Sequence, residues 1–304
     1  MTVKVVFHIG YHKTGTTWLQ RYYFPAHPYI HPICKSQQPW NDPLLQALIA
    51  TPDGKFDPDY CSQLIDEKIR LAGADRDNHL VVVSAERLSG HPYSGGYDSF
   101  RIAERIRACW KDAWIFYAIR RQSDVIWSFY KQMVREGLPC SFARLFTVRH
   151  WDTPGFDLSF YEYDVLLRKY QGMFGQERVC VLPYELMCID IQKFLHLLCA
   201  FFGIPDIPVP VTEKANRGLA NRGLALFRII NHFYSSEFNP YPLFSFNKQM
   251  LQYVRRVMEK IFHSIPDTGM PLQDKQGSCI SDYYQESNSR LQSLVSWKLK
   301  DFGW

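Results

Sequence analysis

The sequence predicts an α/β fold: three layers, α/β/α, on a central parallel sheet of about four to five strands, with helical additions towards the C-terminus. Three observations predict it. Four short apolar runs, 3–9 (VKVVFHI), 80–84 (LVVVS), 113–119 (AWIFYAI) and 178–184 (RVCVLPY), are rich in Val, Ile and aromatics. They are too short for helices and read as fully buried strands. Helical patterns separate and follow them at 16–24, 99–111, 124–136, 159–174 and 191–202. Strand and helix alternating in this way need crossover connections, and so a parallel sheet covered on both faces. After Pro210 the pattern turns mainly helical, at 221–233, 247–263 and 281–299, entered through the Pro-rich passage IPDIPVPVTEKANRG.

Bulk properties narrow the function. The chain has 304 residues, 46% hydrophobic and 21% charged, enough to bury a large core and unlike a disordered or fibrous chain. With few Gly-Ser linkers and no charge block to split it, residues 1–304 read as one domain. Thirty-five basic against 30 acidic residues leave a net charge of +5. That excess suits an anionic ligand, and without a basic run it argues against nucleic acid as a partner. The eight cysteines are scattered singly with no C-x-x-C pair. Several, such as Cys180 and Cys199, lie in apolar segments and read as reduced core residues in a reducing compartment. His27, His31 and Cys34 form a cluster of ligand types, but their Pro-rich setting has no matching second half, so they read as polar surface. No stretch is long enough for a membrane span and no signal core opens the chain, so the expected location is cytoplasmic.

The first apolar run leads into FHIGYHKTGTTWLQ, residues 7–20. A strand, a tight turn and a helix start make an anion site, because the first helical N–H groups lack internal partners and the dipole favours negative charge there. Gly15 lets the backbone approach closely. Thr14, Thr16 and Thr17 add hydroxyl donors and Lys13 a positive charge, so phosphate or sulfate is the natural guest. The P-loop pattern G-x-x-x-x-G-K-[ST] would need glycines at 7 and 12, where Phe7 and His12 stand; only Lys13 and Thr14 fit. No aspartate ends a later strand to hold Mg²⁺. The loop alone leaves open an ATP- and Mg²⁺-dependent small-molecule kinase, or a non-catalytic nucleotide-binding module.

A second stretch, YAIRRQSDVIWSFYKQ (117–132), leaves a strand at Arg120 and reaches Ser128 on the following helix. Together the two stretches resemble the sulfotransferases that use 3′-phosphoadenosine 5′-phosphosulfate (PAPS). The family's lysine and Thr/Gly/Ser loop is matched by Lys13–Thr17. Its arginine, an aspartate four later and a serine eight later, is matched by Arg120, Asp124 and Ser128. The family's Asn-Pro after the arginine is here Arg121–Gln122. RVCVLPYELM looks like the family's fourth strand with its Tyr-Glu pair, and FLHLLCAFFGIP like the next helix. KANRGLANRGLALFRIIN, with Asn216 and Asn231, and the tail YYQESNSRLQSLVSWKLKDFGW are similar to bacterial members.

The resemblance implies a P-loop-NTPase-like sheet, a metal-independent sulfuryl transfer from PAPS, and adenosine 3′,5′-bisphosphate as product. Lys13 would stabilise the departing phosphate oxygen. The loop His12–Trp18 (with Thr14, Gly15, Thr16 and Thr17) would hold the 5′-phosphate. Arg120 and Ser128 would take the 3′-phosphate, closed by Arg217 or Arg222; Arg217 is favoured because it follows Asn216, although the ANRGL repeat (215–219, 220–224) makes the choice close. For the base the resemblance implies Glu86, just beyond the second apolar run, with His91 as the alternative; Glu86 could instead pair with Arg87. The acceptor would be a small molecule, lipid or carbohydrate. Its pocket walls are expected at 25–60, 137–157 and 233–275, where Trp40, Trp151, Phe238 and Tyr241 lie.

Overall fold

The computed structural model describes residues 3–34, 41–74, 79–145, 155–210, 221–244, 248–263 and 275–304. The four apolar runs form strands where the sequence places them: β1 (Lys4–His8), β3 (Leu80–Ser84), β4 (Trp114–Ile119) and β5 (Val179–Pro183). A fifth, β2 (Ile30–Cys34), lies inside the passage expected to be a pocket wall. All pairs are parallel, in the order β2-β3-β1-β4-β5. Pro32 is tolerated because β2 is an edge strand, and its register slips between Pro32 and Cys34.

Polar surface is therefore the wrong reading of His27, His31 and Cys34. His27 and Cys34 are buried, His27 Nε2 lies 3.0 Å from the Pro205 carbonyl, and His31 Nε2 lies 2.6 Å from His79 Nδ1. Apolar Ile30 and Ile33 drive this passage onto the sheet despite its prolines and histidines. Among the described residues no group of three or more His, Cys, Asp or Glu is arranged to hold a metal ion.

Two compact units make up the chain. The first comprises 1–121, 151–213 and 285–304 and holds the sheet. Because alternate strand residues face opposite ways, Val6, Val82, Phe116, Ala118 and Leu182 meet one helical layer. Leu19, Tyr23 and Phe24 supply that layer from the segment after β1, and Phe194, Leu198 and Phe202 from Ile191–Phe202. The opposite layer contains Pro58–Ala72, Ser99–Cys109 and Tyr163–Phe174; Tyr117 of β4 meets Tyr170 there at 6.4 Å between ring centroids. The sequence pattern missed two helices of this unit, Pro43–Ile49 and Pro58–Ala72, although both carry an Asp N-cap followed by Pro. Asp42 accepts from the Leu44 and Leu45 N–H groups, and Asp57 from those of Asp59 and Tyr60.

The second unit, 122–150 and 214–284, is helical. It includes Gln122–Glu136, Asn221–Asn231 and Lys248–His263, and Lys275–Gln292 begins in it. Buried Asn231 donates from Nδ2 to the Val134 and Leu138 carbonyls at 2.7 and 2.9 Å, satisfying acceptors where Gln122–Glu136 ends. The last helix stops at Gln292, short of the expected 299, because its side-chain amide ties the tail back, bonding the Trp297 carbonyl and the Leu299 N–H. No helix among the described residues is long and apolar enough to cross a membrane.

Candidate active site

Loops from β1, β3, β4 and β5 assemble the site at the carboxyl edge of the sheet, all within the first unit. Adjacent β1 and β4 send the chain towards opposite edges, to β2 and to β5, and at such a reversal open α/β sheets hold ligands.

The chain leaves the sheet after Ile9, whose N–H still reaches the Phe116 carbonyl at 3.0 Å. Thr14 Oγ1 then donates to the Tyr11 carbonyl at 2.6 Å, closing the turn on itself. Lys13 sits at φ 68 and Gly15 at φ 82. The left-handed backbone costs Lys13 about 1–2 kcal/mol, strain that collects at functional loops. Gly15 is required twice over, by its φ and because a Cβ would stand 2.6 Å from Met187 Sδ. The N–H groups of Trp18 and Leu19 both bond the Gly15 carbonyl, so those of Thr16 and Thr17 stand ahead of the first helical bond. The helical segment 16–26 that follows is π-helical over Leu19–Tyr23. The Thr16 hydroxyl is buried with no partner among the described residues.

Beneath the loop, His8 is packed rather than catalytic. Its Nδ1 lies 2.7 Å from Ser84 Oγ, its ring stacks on Phe116, and burial pushes its pKa down to about 3. Gln20 donates to the same Ser84, to the carbonyl at 3.1 Å and to Oγ at 2.9 Å.

Glu86 opens a short 3₁₀ turn after β3. Buried Asp98 holds this second loop, Oδ2 taking Arg87 Nη2 at 2.8 Å and Oδ1 the His91 N–H at 3.0 Å. Arg87 is thus paired with Asp98, not with Glu86, which corrects the pairing considered from sequence. Glu86 Oε2 lies 3.7 Å from His12 Nε2 instead. Burial, then the charges of Arg87, Lys13 and His91, push the His12 pKa down to about 3, so the contact is not an ion pair near neutral pH. Burial pushes the Glu86 carboxyl up to about 7, with Lys13 pulling it back. A carboxyl poised near neutrality is matched to moving a proton. His91 lies in the same loop, its Nδ1 3.2 Å from Ser94 Oγ.

Arg120 follows β4. Its Nη1 donates to the Lys13 carbonyl at 3.2 Å, and its guanidinium lies over the Tyr184 ring, 5.1 Å from the centroid. Tyr163 Oη donates to the Arg120 carbonyl at 2.8 Å. The Arg121 N–H goes to Glu185 Oε1 at 2.8 Å. The Tyr184–Glu185 pair thus supports both arginines that leave β4. Ser128 lies on Gln122–Glu136 in the second unit, partly exposed, one turn after Asp124. Arg222 belongs to Asn221–Asn231. Arg217, Trp40 and Trp151 lie outside the described residues. Tyr241, in the second unit, is 90% exposed.

No protein-family model and no curated protein matches the sequence. Among solved structures, a sulfotransferase from Alicyclobacillus acidocaldarius matches over 99% of each chain, with TM-score 0.58 and 19% sequence identity. The chain has a sulfotransferase fold. The sulfotransferase domain of the curacin biosynthetic pathway matches over 93% of this chain and 98% of its own. Its TM-score of 0.40 and identity of 14% are too loose to carry an argument. At 19% identity the first likeness is one of fold, and the residues within that fold rest on their own geometry.

Sequence reasoning missed Asp98 and Gln20. Asp98 is distant in sequence from the residues it orders, and Gln20 reads as an ordinary polar position in a helix. Its placement on the π-helical turn right after the anion loop is the only local signal.

Proposed function

We propose that the protein is a PAPS-dependent sulfotransferase acting on a hydroxyl or amine of a small-molecule, lipid or carbohydrate acceptor. The observation that carries this reading is the hydrogen bond from Arg120 to the Lys13 carbonyl. It brings the two clusters of the sequence together at the sheet's reversal point. The loop fits an anionic group: a buried, unpartnered Thr16 hydroxyl, two leading helical N–H groups and a lysine held at φ 68.

When bound, the donor supplies an activated sulfuryl group. The Thr16 and Thr17 amides hold the 5′-phosphate, and the Lys13 ammonium neutralises the charge that gathers on the bridging oxygen as its bond to sulfur breaks. Arg120, with Ser128 and Arg217 or Arg222, holds the 3′-phosphate that marks this carrier. Glu86 takes the proton that the acceptor's hydroxyl or amine gives up as its bond to sulfur forms. His91, on the same loop, is the alternative base. In this reading residues 1–304 form one sulfotransferase domain.

A cytoplasmic setting is supported by the cysteines, all eight of them free. Five are buried, and Cys188 and Cys279 are exposed rather than in the core.

The test is labelled-sulfate transfer from PAPS to an acceptor library, run beside titration with adenosine 3′,5′-bisphosphate and with ATP, with and without Mg²⁺. Metal-free binding of the bisphosphate together with transfer is expected. Preference for Mg-ATP overturns the reading.

A further inference from the structure

Arg87 has no part in the steps above, yet the fold holds it with unusual care. Its side chain is 15% exposed, and Asp98, fully buried, engages only Nη2. The other carboxylate oxygen of Asp98 is occupied by the His91 N–H. Guanidinium nitrogens Nε and Nη1 are shielded from solvent and have no partner among the described residues. A buried donor left unpaired is costly, the more so on a charged group. Two on one planar fork, already fixed in orientation by a carboxylate, match the spacing of a second oxyanion. The residue directly follows Glu86 and its charge reaches His12, which stands against Glu86. Lys13 is the charge that acts on Glu86 itself. Arg87 and His91 therefore flank His12, while Lys13 serves the donor.

We infer that Arg87 is a specificity-determining residue that binds an oxyanion, a carboxylate above all, carried by the acceptor close to the hydroxyl or amine it presents to Glu86. This names a substrate class and rests on the sulfotransferase reading: the acceptor is itself anionic, held by the Nε and Nη1 donors of Arg87 while Asp98 keeps the fork in place. A neutral acceptor of the same shape leaves those donors unpaired and is discriminated against.

Benzoate, benzamide and inorganic sulfate test the inference as probes, titrated into the full chain with and without saturating adenosine 3′,5′-bisphosphate. Heat and the Arg87 Nε–H resonance are followed together. With the bisphosphate bound, benzoate should bind about 10- to 100-fold more tightly than benzamide and shift that resonance. Arg87→Lys keeps the charge opposite Asp98 but loses the fork, and should lose most of the preference. The double variant Arg87→Gln with Asp98→Asn, which leaves no buried charge unpaired, should lose all of it, and bisphosphate affinity should persist in both variants. Equal binding of benzoate and benzamide to the wild type overturns the inference. So does a preference that survives in the variants, or sulfate alone moving the Arg87 resonance, which would place the donor's sulfuryl group there. Failure of the bisphosphate to bind counts against the sulfotransferase reading, whereas the titration without it still judges Arg87.

Discussion

The loops after β1 and after β3 stand at the same edge of the same sheet but are held in different ways. The first is shaped by its own backbone: Thr14 bonds the Tyr11 carbonyl, Gly15 takes a left-handed turn against Met187, and the helix start faces forward. The second is shaped by a distant side chain, Asp98, which takes Arg87 with one oxygen and the His91 N–H with the other. A seat made of backbone suits one constant ligand, the phosphate of a carrier. A seat made of side chains can be altered by single substitutions and suits the part of a reaction that varies, the acceptor.

The largest break in the first loop comes from Lys13→Ala. Transfer should fall by about 10²–10³-fold, as when one group stabilising a developing anion is removed, measured as labelled-sulfate turnover at saturating donor. The matching break in the second loop is Glu86→Gln. It should lower kcat by about 10²–10⁴-fold while adenosine 3′,5′-bisphosphate binds as before; unchanged turnover would shift the base to His91.

The pH dependence sharpens the same contrast. Glu86 must be ionised to accept a proton, so the wild-type rate should rise with pH through about 7 and be lost below it. Folding raises this carboxyl above its ordinary value of 4.5, so the folded state holds the proton more tightly than the unfolded one. The stabilising contribution is present below about 4.5 and is lost as pH rises through about 7. Denaturant titrations across that window should show the slope in the wild type and not in Glu86→Gln.

Gly15→Ala addresses backbone shape alone. The positive φ and the contact with Met187 Sδ should lower stability by about 1–3 kcal/mol and weaken bisphosphate binding, with denaturant midpoints and calorimetry as readouts. The smallest effect on the site is expected far from both loops. Asn231→Ala removes two buried hydrogen bonds in the second unit and should cost about 1–3 kcal/mol of stability with bisphosphate affinity intact.

The contrast also explains what could be read in advance. Four of five strands and the first loop were legible because buried parallel strands are continuous apolar runs and the loop is local in sequence. β2 was not, since IHPIC carries a histidine and a proline that only an edge position accommodates. The helices from Pro43 and Pro58 announced themselves through Asp-Pro starts, but their Pro-rich surroundings read as loop. In the site, Lys13 and Arg120 stood out by spacing, and their meeting through the Lys13 carbonyl is a product of strand order. Asp98 could not be found from spacing, because its partners come together only when the turn after Glu86 folds back.

The central claim is that the Lys13 loop and Arg120 form one seat for a doubly phosphorylated adenosine. Calorimetric titration with adenosine 3′,5′-bisphosphate in the presence of a metal chelator tests it most directly, on wild type, Lys13→Ala and Arg120→Ala. The account predicts metal-free binding to the wild type, weakened about 10- to 100-fold by Arg120→Ala and weakened also by Lys13→Ala. Absence of wild-type binding, or affinity that neither substitution changes, would contradict it.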